Sequence, residues 1–143
     1  MAAMTLPPPQ DRLSAERPPV PKARRRWRDK FREAFRGVKL GVRGHSSFFV
    51  HFFFTAAVVA TALVLQCSLV EWCVLLGCVG GVLTAELFNS AVETLVHGLE
   101  PAAKQRLHGV LDIAAGAVLL ASVTAAVIGA LIFGNRLAIF FGW

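Results

Sequence analysis

Glu86, Asn89 and Glu93 stand at i, i+3 and i+7. That spacing puts two carboxylates and an amide on one face of a helix, over roughly 10 Å of its axis. His97 continues the stripe four residues on, Ser90 lies on its flank, and Asp112 follows beyond a polar connection. Carboxylate and amide oxygens are hard donors, suited to Mg²⁺ held together with substrate phosphates. A carboxylate kept basic could take a proton from a hydroxyl. The setting is apolar, and acids inside a membrane helix cost ~2.5–3.5 kcal/mol each on insertion scales, so they are rare and mostly functional. The bland alternative has one acid reach the surface while others pair with Lys104 or Arg106. It suits one acid better than three acids and an asparagine on converging faces.

The elements that must position these residues are apolar and long. One stretch covers about 48–67, a second about 72–97, and a third about 110–133. Each is long enough to cross a ~30 Å hydrocarbon layer at ~1.5 Å per residue. Ser68 to Glu71 reads as a polar break, and Gly98 to His108 as a polar connection that brings Asp112 back to the depth of the acids. Gly77, Gly81 and Ala85 repeat every four residues, as do Ala117, Ala121, Ala125 and Gly129. Small faces of this kind let membrane helices approach closely. Three helices make a thin bundle alone, so an oligomer is expected.

Ahead of the apolar body lies a different kind of chain. Residues 1–23 hold six of the seven prolines and no apolar period, which predicts a disordered tail. Over 24–45, Phe31, Phe35, Val38 and Val42 keep one helical face, and Arg28, Arg32, Arg36, Lys39 and Arg43 an adjoining one. This predicts an amphipathic basic helix in the headgroup region. Residues 1–46 carry 12 of the 15 Lys+Arg and 4 of the 9 acids, a net of +8, whereas the remainder nets −2. With 55 % apolar residues, 17 % charged residues and a mean hydropathy of +0.58, most soluble folds are excluded, and so is nucleic acid as partner. The positive-inside rule puts the N-terminus and the 98–108 connection in the cytoplasm, leaving only Arg136 outside. Cys67, Cys73 and Cys78 read as small packing residues, with a Cys67–Cys73 bridge as the alternative. His51 and His108 read as interfacial or packing residues. The expected fold class is an all-α membrane protein: an amphipathic surface helix and three transmembrane helices in an oligomeric bundle.

Hard donors where lipid headgroups meet cytoplasmic nucleotide suit phosphoryl transfer from ATP to a lipid alcohol, which depends on positioning and charge more than on an elaborate fold. No G-x-x-x-x-G-K-[ST] loop and no protein-kinase motif occurs. The run Ala85-Glu-Leu-Phe-Asn-Ser-Ala-Val-Glu93 resembles the signature of the small prokaryotic diacylglycerol kinase family, which includes the undecaprenol kinases. Phe31-Arg32-x-Ala34-Phe35-x-Gly37 is similar to that family's surface-helix start, and Asp112-Ile-Ala-Ala-Gly-Ala-Val-Leu-Leu120 to its third helix. The resemblance implies a homotrimeric lipid kinase of a bacterial inner (cell) membrane, using ATP and Mg²⁺ on diacylglycerol or undecaprenol, with active sites shared between neighbours. It implies Glu86 as catalytic base and Glu93 as metal ligand. Asn89, Ser90, Asp112, Arg32 and His97 are the implied substrate- and nucleotide-binding set. Counted from Gly37, His45 falls where the family has a second metal-binding glutamate. His97 stands in place of an aspartate, and Leu111 in place of a phosphate-contacting lysine, a role open to Lys104, Arg106 or Arg43. Those departures support an alternative, a weak or inactive relative that binds lipid or stabilises a membrane assembly. A small transporter would explain the acids but neither the basic helix nor the signature.

Overall fold

A computed structural model of the chain describes residues 26–44 and 47–142. The expected tail, His45 and Trp143 fall outside the described residues. Every element among the described residues is helical: α1 (Trp27–Gly44), α2 (Ser47–Val64), α3 (Leu69–His97), α4 (Pro101–Arg106) and α5 (His108–Phe141). Three of them, α2, α3 and α5, are long and apolar enough to cross a membrane. The fold is that of an all-α membrane protein.

The chain divides into two units, Met1–Glu33 and Ala34–Trp143. In the first, the start of α1 organises itself locally. Trp27 and Phe31 lie with ring centroids 6.5 Å apart, the Lys30 ammonium sits 4.7 Å over the Trp27 ring, and Arg32 pairs with Asp29 at 3.4 Å. In the second unit α3 packs most extensively along α5, and α2 packs mainly on α3. The Arg136–Glu71 pair joins the end of α5 to the start of α3, so those two helices run antiparallel. Along α2, Phe48 and Ala62 are buried and His51, Thr55 and Val58 half-buried. Those positions recur at three- and four-residue steps, the inward stripe of a packed helix.

The helix ends differ from the expected spans for readable reasons. α2 stops at Val64, and Gln66 takes a left-handed φ of 49°, turning the chain back. α3 then starts at Leu69, three residues before the expected Trp72, because Ser68 is its N-cap and Glu71 completes a capping box. The polar break is therefore a helix start. Pro101 opens α4 at a position where its missing N–H costs nothing. α5 continues past Phe133, through Asn135 and Arg136, to a left-handed Gly142 with φ of 74°. Arg136 is affordable there because Glu71 receives it. All three cysteines are free, and in the turn after α2 burial and then the Glu71 carboxylate push the Cys67 thiol up.

The small faces behave unequally within one chain. Gly129 is buried, whereas Gly77 and Gly81 are exposed, and none of the three has a neighbour within 4 Å of where a Cβ would stand. On α1, Phe31, Phe35, Val38 and Leu40 are exposed as well.

Candidate functional site

The inward face of α3 changes character along its length. Near its start it buries Leu75, and further on it buries Glu86, Asn89 and Ser90, which are 3 %, 8 % and 2 % exposed. These are the buried polar residues among those described. A membrane helix could have turned them outward at the surface or replaced them with alanine, yet they face the bundle. Burying such groups without partners costs free energy, more so for a charge.

Their partners are few. Asn89 Nδ2 donates to Glu93 Oε1 at 2.9 Å, one helical turn on, which ties the amide to the second carboxylate. The Oδ1 of Asn89 and the hydroxyl of Ser90 are buried without a hydrogen-bond partner among the described residues. Ser90's backbone carbonyl accepts from Thr94 Oγ1 at 2.8 Å, so the helix is locally braced while the Ser90 hydroxyl is not. Glu86 Oε2 faces His51 Nε2 at 3.7 Å, from α2.

Two grooves flank this face. One, of about 510 Å³, lies between α2, α3 and α5; its walls are apolar, including Phe54, Leu75, Val82 and Phe133, and His51 supplies one of its few polar groups. The other, of about 1020 Å³, lies between the second half of α1 and α3, with Gly37, Gly41, Leu87 and Ser90 on its walls. Gly41 permits this approach, since a Cβ there would stand 2.7 Å from Leu87 Cδ2.

Of the residues singled out in the sequence, Glu86, Asn89, Ser90 and Glu93 come together on α3. Asp112 does not join the buried cluster in this chain. It is 75 % exposed at the start of α5, and its ionic partner is His108, at 3.7 Å. His97 is exposed in the last turn of α3. Arg32 is exposed on α1 and paired with Asp29. His45 lies outside the described residues. Among the described residues no group of three or more His, Cys, Asp or Glu is arranged to hold a metal. Glu93 with the unpartnered Asn89 Oδ1 beside it still fits Mg²⁺, because that ion needs only one or two protein carboxylates when phosphates supply the rest.

Three residues have contacts that their sequence positions do not reveal. His51 reads from the sequence as an interfacial or packing residue, and the structure places it half-buried on the inward stripe of Phe48, Thr55, Val58 and Ala62, with its imidazole facing Glu86. Gly41, four residues after Gly37, carries the same small-residue spacing as Gly77, Gly81 and Ala85 on α3. Arg136 looked like a lone outside charge, and its partner lies 65 residues away.

Three helices apolar enough to cross a membrane, one of which buries a carboxylate, an amide and a hydroxyl on its inward face, define a helical membrane protein with polar residues inside its bundle. Residues 32–133 match the family model described as prokaryotic diacylglycerol kinase. The undecaprenol kinase of Bacillus subtilis (strain 168) is 33 % identical over 114 residues, which is 75 % of this chain and 87 % of that protein. No solved structure matches the chain. The chain belongs to the prokaryotic diacylglycerol kinase family and is a membrane lipid kinase.

Proposed function

We propose that this lipid kinase transfers the γ-phosphate of ATP to the hydroxyl of a membrane lipid alcohol, with Mg²⁺ as cofactor. The observation that carries the reading is the buried, under-satisfied face of α3, where Glu86, Asn89 and Ser90 keep polar capacity that folding does not use. Glu86 is the base: its carboxylate takes the hydroxyl proton as that oxygen forms its bond to the γ-phosphorus and ADP leaves. Glu93 and His45 are the metal ligands, and Asn89 orients Glu93 through its 2.9 Å hydrogen bond. When bound, Mg²⁺ neutralises charge on the transferring phosphoryl group. Ser90, with its hydroxyl unpaired beside the α1–α3 groove, binds the lipid headgroup end. Arg32, His97 and Asp112 contribute to nucleotide and substrate binding, and Lys104, Arg106 or Arg43 stands in for the family's lysine.

The Bacillus subtilis relative is an undecaprenol kinase, which favours undecaprenol over diacylglycerol as the lipid here. The N-terminus lies in the cytoplasm and the protein in the bacterial inner (cell) membrane, a reading supported by the Lys/Arg asymmetry of the chain. The working unit is a homotrimer with sites shared between neighbours, in keeping with the exposed, unfilled glycines Gly77 and Gly81. The test is phosphate transfer from labelled ATP in mixed micelles, with diacylglycerol and undecaprenol side by side. Incorporation into undecaprenol above diacylglycerol is expected. Incorporation into neither, with folded protein and Mg²⁺ present, would sink the reading.

A further inference from the structure

Glu86 is the most deeply placed acid of the bundle, with 4 % of its side chain exposed, and the polar side chain facing it is His51, which is 18 % exposed. Among the described residues no other titratable or hydrogen-bonding side chain of α2, α3 or α5 pairs with it. Glu93 is engaged with Asn89, Asp112 with His108, and Arg136 with Glu71. On the second half of α1, Lys39 and Arg43 are exposed. We infer that His51 is the positioning residue of the kinase reaction: standing 3.7 Å from one Glu86 oxygen, it orients the carboxylate and leaves the other oxygen for the substrate hydroxyl. The inference rests on the reading of Glu86 as base.

The physical case has three parts. A carboxylate taken from water into an apolar bundle is costly unless a partner compensates it, and an imidazole N–H or imidazolium is such a partner. An unpaired carboxylate on a helix also samples several rotamers, whereas a general base must hold its proton-accepting oxygen within hydrogen-bond reach of the substrate. A group on a separate helix can restrict it, because α2 fixes His51 through its own inward face. Phe48 is buried three residues before it, and Thr55 Oγ1 donates to the His51 carbonyl at 2.7 Å one turn later. The same imidazole borders the groove between α2, α3 and α5, so it also stands where an apolar lipid chain could run past the base. Its reach of 3.7 Å leaves room for closure to a direct hydrogen bond when substrate is bound, a tightening common in enzymes.

The experiment compares His51→Ala and His51→Gln in the full-length kinase, in wild-type and Glu86→Asp backgrounds, with undecaprenol and diacylglycerol as acceptors. His51→Ala is expected to lower kcat by about tenfold or more, with KM for ATP and for lipid within about twofold of wild type. Glutamine keeps an N–H donor on a side chain of similar reach, so His51→Gln should recover most of that loss. In Glu86→Asp the carboxylate is drawn back from α2, and His51→Ala should then cost much less than it does in wild type. Oligomer mass and thermal unfolding in detergent report whether each variant is folded, and rates are taken per folded molecule. Wild-type kcat in His51→Ala, an equal loss in both backgrounds, or a rise in KM alone would overturn the inference. Failure of the underlying reading looks different: Glu86→Gln would then turn over like wild type. A dead Glu86→Gln beside a fully active His51→Ala overturns the positioning role alone.

Discussion

Glu71 and Glu86 lie on the same helix, 15 residues and roughly 22 Å of axis apart, and their environments are opposite. Glu71 is saturated. Its Oε2 accepts from the Ser68 backbone N–H at 2.6 Å and from the Ser68 hydroxyl at 2.7 Å, and Arg136 Nε reaches both carboxylate oxygens, at 2.9 and 2.8 Å. The Arg136 guanidinium adds a further close contact through Nη2. Glu86 is better buried and has an imidazole at 3.7 Å. If folding alone chose partners, the acid deepest in the bundle would be the best satisfied, because its desolvation is the more costly. The reverse arrangement separates a carboxylate that builds the fold from one that folding leaves under-satisfied, which is what the proposed role of Glu86 as base requires.

The largest test of that contrast removes each acid in turn. Glu86→Gln keeps the shape and cannot accept the proton, so kcat should fall by about 10²–10⁴-fold with folded protein unchanged. Glu71→Gln should do the opposite, lowering the thermal midpoint while leaving turnover per folded molecule near wild type. Labelled phosphate transfer and thermal unfolding, run on both variants, would break the comparison if the two effects were exchanged.

A smaller effect is expected one turn along from Glu86. Asn89→Ala removes the 2.9 Å hydrogen bond that orients Glu93. Loss of such a supporting contact typically costs about 10–100-fold in metal affinity, so the Mg²⁺ dependence of activity should shift by that order and recover at high metal. Glu93→Gln should shift it in the same direction. An unchanged Mg²⁺ dependence in both variants would remove this face from metal binding.

Arg136→Ala sharpens the other side of the comparison. It leaves Glu71 with its Ser68 contacts only, and the thermal midpoint should drop by a few degrees with phosphate transfer retained at low temperature. Arg136→Lys should restore part of the loss, since an ammonium cannot reproduce the two-oxygen fork. Loss of activity without loss of stability would mean that this end of the bundle serves the reaction.

The smallest effect belongs to Gly41. Alanine there places a Cβ 2.7 Å from Leu87 Cδ2, the mobile end of a side chain, while relieving the roughly 0.5–1 kcal/mol helical penalty of glycine. Gly41→Ala should therefore be near neutral in thermal unfolding, and Gly41→Val clearly destabilising. A severe loss for alanine would mean that α1 and α3 touch more tightly than side-chain adjustment allows.

The apolar lengths, the basic first helix and the i, i+3, i+7 polar stripe were legible in the sequence because each is a local pattern. Hydropathy over some twenty residues and a 3.6-residue period need no knowledge of neighbours. Ser68–Glu71 reads as a polar break by its polarity, and the structure shows it to be a capping box that starts α3. What lies across helices was not legible. The pairing of Glu71 with Arg136 spans 65 residues, and that of Glu86 with His51 joins two separate helices. Likewise Asp112, expected at the depth of the acids, is exposed beside His108, since depth along an axis does not decide which way a side chain faces. Sequence by itself determined that this chain is a helical membrane lipid kinase and which helix face carries its polar residues. Tertiary structure alone decided which acid is satisfied and which is left under-satisfied, because contact between helices depends on their rotation and register, and no local pattern encodes either.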